Sequence, residues 1–269
     1  VQTCALPIYI ASREKILNTC AIPVEGSVPF HTLPEWLNIM KNTVFSPKSS
    51  QTQDIAFYRL EPFIDLELNQ ITGYEVLSTL RDGIDAEKWF ARLSGEKQIE
   101  LLLLQIESVA DEVKEKCFFN LSVEGFLWLK ERHITRITRC DNVCLEVSDS
   151  SVLKTLDDKK RHLFFKQTAA LRKGGVEIWM DDFCSDDLIS LPEYKGKVDG
   201  VKIDRSEMRS VHLCNLINIV KKMLGNIPVL IEGVETLKDL AKGACSGADI
   251  AQGYLWSAPD DNPGTNRAT

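Results

Sequence analysis

The feature that most constrains this chain is an apolar run that ends in charge. Val176–Phe183 reads Val-Glu-Ile-Trp-Met-Asp-Asp-Phe, and Val201–Asp204 follows as Val-Lys-Ile-Asp. A strand buried on both faces of a parallel sheet is a near-continuous hydrophobic run. Barrels of alternating strands and helices keep their chemistry at the C-terminal ends of such strands. Adjacent Asp181 and Asp182 cannot both stay ionised in a dry site without a compensating cation. Taken alone, the pair would serve equally well as a strand end followed by a helix cap. The simpler role loses ground because the same pattern recurs along the chain.

Following that pattern gives an order of elements. Ala56–Leu66 and Thr72–Leu80 read as a hairpin around Glu67–Gln70. Helical periodicity covers Ala86–Leu93 and Glu96–Val113. Next come a strand over Phe118–Val123, a helix over Glu124–Arg132, and a strand over Val143–Val147. The helix Leu156–Lys173 is closed by Gly174 and Gly175. Beyond 176–183 lie a helical stretch, the strand holding Lys202 and Asp204, and a helix over Ser206–Leu224 stopped at Gly225. Strand Ile227–Ile231, helix Thr236–Cys245 and strand Ile250–Trp256 complete the series. Seven or eight strands separated mostly by helices predict an α/β barrel.

Composition narrows what such a barrel does. The 269 residues can bury one large core. A net charge of −7 argues against a broad surface for DNA, RNA or anionic membrane. A small anionic ligand stays possible, because a bound metal inverts the local charge. The eight cysteines include no Cys-x-x-Cys pair, and Cys140 and Cys144 have no second pair or histidine cluster to make a zinc site. Dispersed thiols suit a reducing cytoplasm, the expected location. Leu101–Leu104 is far too short to span a bilayer, and nothing resembles a signal peptide.

The ends are less informative. Val1–Ile8 matches a one-frame translation of a widely used sequencing adapter, so it is expected to be a library artefact with the true N-terminus missing. Residues 9–54 stay unassigned, with possible helices around Ser12–Asn18 and Leu33–Asn42, and a polar linker over Ser46–Gln53. Residues 55–260 are expected to form the barrel domain and 261–269 a polar tail.

Eight polar residues sit on or at the ends of the apolar runs: Glu75, Asn120, Glu146, Asp181, Asp182, Lys202, Glu232 and Gln252. Oxygen ligands dominate, with no histidine or thiolate. That set suits Mg²⁺ or Mn²⁺ and not Zn²⁺. Five carboxylates exceed what one Mg²⁺ usually takes, so two ions bridged by one aspartate are expected. The lone lysine would orient a water or neutralise phosphate charge. Any one of these residues has a plain alternative as a charge facing solvent; eight independent coincidences are harder to accept. The basic run Lys159–His162 is read as a solvated face, and Phe126 and Trp128 as packing residues. His133, His162 and His212 lack partners at ligand spacing.

From about Phe57 to Pro259 the chain resembles the EAL domain of bacterial cyclic-di-GMP phosphodiesterases. The signature Glu-Ala-Leu is matched by Glu75-Val76-Leu77, Asn-Leu-Ser by Asn120–Ser122, and Glu-x-Thr-Glu-Ser by Glu146–Ser150. Asp-Asp-Phe-Gly is similar to Asp181–Cys184, Lys-Ile-Asp to Lys202–Asp204, Glu-Gly-Val-Glu to Glu232–Glu235, and Gln-Gly-Tyr to Gln252–Tyr254. The resemblance implies a modified (β/α)₈ TIM-like barrel cleaving cyclic-di-GMP to linear pGpG with two Mg²⁺ or Mn²⁺ ions. It assigns Glu75, Asn120, Glu146, Asp181, Asp182 and Glu232 to the metals, and catalysis to Lys202 and Glu232. Glu61, Thr79, Asp149, Asp204, Glu235 and Gln252 would contact substrate or orient the ligands. EAL domains often pair, so the resemblance leaves room for a homodimer, although the sequence alone does not give the oligomeric state.

The departures lie outside the metal set. Glu61 stands where the family usually has Gln, and Thr79 where it has an Arg facing a substrate phosphate. Losing a bidentate phosphate contact and adding a negative charge should weaken dinucleotide binding by roughly a few kcal/mol. Cys184–Asp187 replaces a glycine-rich loop, which predicts a reluctant backbone there, and Asp149 replaces a loop-anchoring Glu. These changes sustain a second reading: a degenerate module that binds the nucleotide, or a protein partner, without cleavage.

Overall fold

The computed structural model describes residues 44–48 and 53–256. The helices expected around Ser12–Asn18 and Leu33–Asn42, the 1–8 segment and the 261–269 tail lie outside the described residues. A short β1 (Val44–Phe45) lies along β2 (Ile55–Asp65), which forms an antiparallel hairpin with β3 (Gln70–Leu80). Six strands then add in parallel: β4 (Lys116–Leu121), β5 (Val143–Val147), β6 (Glu177–Phe183), β7 (Gly200–Ile203), β8 (Val229–Ile231) and β9 (Ile250–Ala251). β9 pairs antiparallel with β2 through Ile64–Ala251 and Asp65–Ile250, closing an eight-stranded barrel. The first barrel strand therefore runs against its seven companions. A tight turn containing Asn69, at φ 51°, makes this reversal possible.

The helices pack around the outside: α1 (Ala86–Phe90), α2 (Gly95–Val109), α3 (Val123–Trp128), α4 (Glu131–Ile137), α5 (Asp158–Lys173), α6 (Leu191–Tyr194), α7 (Leu213–Leu224) and α8 (Leu237–Ser246). Several expected boundaries move for local reasons. The single helix expected over 124–132 is two, because Leu129 adopts an extended ψ of 138° between them. α5 starts at Asp158, where the Asp157 carboxylate accepts from Lys160 N. The helix expected from Ser206 is a 3₁₀ turn over Arg205–Arg209, ended by extended Ser210, followed by α7 from Leu213. Gly225, at φ 96°, stops α7 as expected. The last strand ends at Ala251, because Gly253 turns the chain at φ 157° with Val234 so close that a Cβ would sit 2.3 Å from its carbonyl oxygen.

The inside of the barrel divides into two layers, and period-two strand geometry produces both. Phe63, Phe118, Cys144, Trp179, Leu230 and Ile250 form a closed apolar cluster, separate from the larger core between barrel and helices. Phe118 lies 4.7 Å from Phe63 with the rings tilted by 54°, and meets Trp179 edge-on at 5.2 Å. The other two strands contribute Gly73 and Gly200 at this level. A Cβ on Gly73 would lie 2.8 Å from the Phe118 ring, and one on Gly200 2.4 Å from the Trp179 ring. The glycines leave room for those rings. Moving two residues towards the mouth along every strand replaces these eight residues with Glu61, Glu75, Asn120, Glu146, Asp181, Lys202, Glu232 and Gln252.

Candidate functional site

The polar layer converges on Lys202. Its Nζ lies 2.9 Å from Glu232 Oε1, 3.0 Å from Asp181 Oδ1, 3.2 Å from Glu146 Oε2 and 3.5 Å from Glu75 Oε2. Only 1% of the Lys202 side chain is exposed. An ammonium has three donors, so it cannot satisfy four carboxylates. Glu146 Oε1 and Gln252 Oε1 are buried with no hydrogen-bond partner, and Asp181 Oδ1 approaches Lys202 without hydrogen-bond geometry.

The carboxylates differ in how they are compensated. Glu75 accepts from Asn120 Nδ2 and Gln252 Nε2, each at 2.7 Å. Burial alone would raise its pKa, but Lys202 and these two amides hold it below the usual range. Glu146 has no such amides, and burial pushes it well up despite Lys202. Asp181 also rises through burial, opposed by Lys202. Burial takes Glu232 to about 7 and Asp182 to about 6, with Asp181 and Asp204 adding to the rise at Asp182. Asp181, Asp182 and Glu232 bring oxygens within 4.8 Å of one another. Asp182 reaches this position from a left-handed backbone, φ 52°, where β6 and β7 slip register between Met180 and Phe183. Strain of this kind persists only where the surroundings hold it.

All-oxygen donors, unmatched buried oxygens and one cation for several carboxylates fit divalent hard cations. Asp181, Asp182 and Glu232 are the described residues whose oxygens could together hold such an ion; Glu75 and Glu146 meet Asp181 and Glu232 at Lys202, and Asn120 stands behind Glu75.

The outlying residues fall in different places. Gln252 Nε2 also donates to Glu61 Oε2 at 3.1 Å, linking Glu61 to the layer. Arg59 pairs with Glu61 at 2.7 Å, so the negative charge added there is matched locally. Asp149 Oδ1 accepts from Val123 N at 2.6 Å and so braces the segment after Asn120. Asp204 accepts from Ser206 N and hydrogen-bonds Asp182. Thr79 Oγ1 is buried and unpartnered near the rim. Glu235 is exposed at the start of α8, and its N–H donates to Asp239; it is not gathered with the others.

The loop after Asp182 corrects the expectation of backbone reluctance. Cys184 is extended, at φ −126°, and residues 184–187 contain no positive φ. Asp187 accepts from Cys184 N and pairs with Lys154 at 2.6 Å, while Glu207 accepts from Ser185 N. Sequence reasoning missed Arg59, Lys154 and Glu207. Spacing would have flagged Arg59, two residues from Glu61 on one strand; nothing local links the other two to this loop.

A model of the EAL domain family matches residues 49–259. No curated protein matches the chain. Among solved structures, EAL enzyme Bd1971 with cAMP and cyclic-di-GMP bound has TM-score 0.61 and 19% identity, over 78% of this chain and 63% of that one. The Klebsiella pneumoniae BlrP1 manganese/cyclic-di-GMP complex at pH 9.0 has TM-score 0.61 and 20% identity, over 79% and 58%. The FimX EAL domain from Pseudomonas aeruginosa bound to cyclic-di-GMP has TM-score 0.60 and 19% identity, over 76% and 90%. The chain spans about three fifths of the length of the first two. At these identities the likeness is one of fold.

Proposed function

Because the chain belongs to the EAL domain family, we propose that it hydrolyses cyclic-di-GMP to linear pGpG, using Mg²⁺ or Mn²⁺, in a bacterial cytoplasm. One observation carries this reading: four carboxylates converge on the single ammonium of Lys202, an excess of negative charge that calls for cations. Two divalent ions held by Glu75, Asn120, Glu146, Asp181, Asp182 and Glu232 would polarise the phosphodiester and acidify the attacking water.

The residues of the chain then have separable tasks. Asn120 and Gln252 fix Glu75 by hydrogen bonds to its two oxygens, so this ligand is oriented before any ion arrives. Lys202 holds Glu232, Asp181 and Glu146 together, and would turn a donor to the attacking water once those carboxylates are taken up by metal ions. Glu232, whose Oε1 lies 2.9 Å from Lys202 Nζ at the centre of the mouth, would accept the proton of the attacking water. The apolar layer below excludes water from the barrel, which strengthens each of these interactions.

The test is turnover of cyclic-di-GMP to pGpG with Mg²⁺ and with Mn²⁺, using Glu75→Ala as the control. Metal-dependent cleavage abolished by that substitution supports the reading; folded, metal-loaded protein that does not cleave overturns it. Thr79, which places an uncharged hydroxyl at the rim, favours one alternative, a module that binds the nucleotide or a protein partner without cleavage. Nucleotide binding in Ca²⁺ without turnover in Mn²⁺ would identify it.

A further inference from the structure

Resting on that reading, we infer that Arg59 is the phosphate-gripping residue of this mouth, holding a phosphodiester oxygen of the cyclic dinucleotide. Among the described residues, the carboxylates of the polar layer form ion pairs with two cations, Lys202 and Arg59. Lys202 is enclosed by four acidic partners at 1% exposure, so an incoming anion cannot reach its charge. The Arg59 side chain is 41% exposed.

Strand register places it. Glu61 lies opposite Glu75, and Arg59 lies opposite Leu77, one step further out on the same inward face. Thr79 lies beyond, opposite Phe57. Glu61 Oε1 accepts from Arg59 Nη1 at 2.7 Å, and its other oxygen takes Gln252 Nε2, which also serves Glu75. A continuous chain of contacts therefore runs from the ligand-bearing Glu75 to the guanidinium. A guanidinium has five donors in a planar fork. With one arm on Glu61, the remaining donors can meet an oxyanion in the paired geometry that arginine uses for phosphate. Glu61 orients Arg59 in this arrangement.

Steady-state kinetics on cyclic-di-GMP with Mn²⁺ test the assignment. Arg59→Ala should raise KM roughly 10- to 100-fold, the range for a charged hydrogen bond, with kcat and the Mn²⁺ concentration for half-activation little changed. Arg59→Lys should recover part of the loss. The double variant Arg59→Ala/Glu61→Gln, which leaves no carboxylate unpaired, should keep the raised KM. Adding Thr79→Arg to Arg59→Ala should lower it again. An unchanged KM in the double variant would refute the assignment, as would parallel losses of kcat, Mn²⁺ affinity and melting temperature. Wild-type protein that neither cleaves nor, in Ca²⁺, binds cyclic-di-GMP would remove the functional reading and this inference with it. Equal binding by wild type and Arg59→Ala would remove this inference alone.

Discussion

The two layers inside the barrel come from the same strands, two residues apart, yet they are opposites. In the lower layer, rings fill the spaces left by Gly73 and Gly200. Nothing polar is left unmatched among its six clustered side chains. In the upper layer, Lys202 cannot satisfy its neighbours, and Glu146 Oε1 and Gln252 Oε1 have no partner. A close-packed apolar layer is stable by itself. A half-satisfied polar layer is costly, and a fold keeps it only where something else completes it. The contrast separates a layer that packs the barrel from one whose charges are left incomplete.

Substituting the centre of the upper layer should have the largest effect. Lys202→Met should reduce cyclic-di-GMP turnover by about 10²- to 10⁴-fold, the range for loss of a positioned proton-handling group. It should also destabilise the metal-free protein by about 3–5 kcal/mol, because it leaves buried carboxylates unpaired. Thermal melts with and without Mn²⁺ check this: the ion should restore much of the lost stability. A variant as stable as wild type without metal would contradict the view that the layer is electrostatically unfinished.

The lower layer should respond in the reverse sense. Trp179→Ala should cost about 3–5 kcal/mol through the cavity it leaves. Gly200→Ala should cost about 1–3 kcal/mol by pressing on the Trp179 ring. Denaturant melts give both values, and Mn²⁺ titration of the folded variants should show much smaller changes in metal affinity. If Trp179→Ala instead abolished metal binding while leaving stability intact, the division between layers would fail.

The effect that sharpens the comparison most is the dependence on pH. Burial lifts Glu232 from its ordinary 4.5 to about 7 and Asp182 from 3.8 to about 6. At low pH both groups are protonated whether the chain is folded or not. As pH rises, the unfolded chain ionises first, and the folded state must then ionise these groups in a buried site. Metal-free stability should therefore fall as pH rises from about 3.8, where unfolded Asp182 ionises, to about 7, with a smaller loss in Mn²⁺ at the upper end. Melting temperatures across that range, with and without the ion, measure both. A flat profile without metal would show that these carboxylates are already compensated.

Much of this was legible in the chain. The polar residues at strand ends stand out because buried parallel strands admit few charges, and seven of the eight collected from the sequence line the upper layer; the eighth, Asp182, sits just above Asp181. Lys154 and Glu207 were not legible, because they reach the loop after Asp182 from other elements. The reluctance expected of Cys184–Asp187 does not occur. A carboxylate at Asp187 caps that segment and turns it into ordinary 3₁₀ backbone, whereas the left-handed residue is Asp182. Asp149 and Asp204 hold backbone and a neighbouring carboxyl, and Glu235 faces away, distinctions that a charged letter at a strand end does not contain.

By itself the sequence determined an alternating barrel and the oxygen chemistry of its mouth, because strand period and donor type are local properties of residues. Tertiary structure alone decided that Lys202 is a shared centre and that Gln252 bridges Glu61 and Glu75. The Gln252 contacts depend on closure of β9 against β2. They join residues far apart in the chain at distances of about one hydrogen bond, and no local rule of spacing reaches that far.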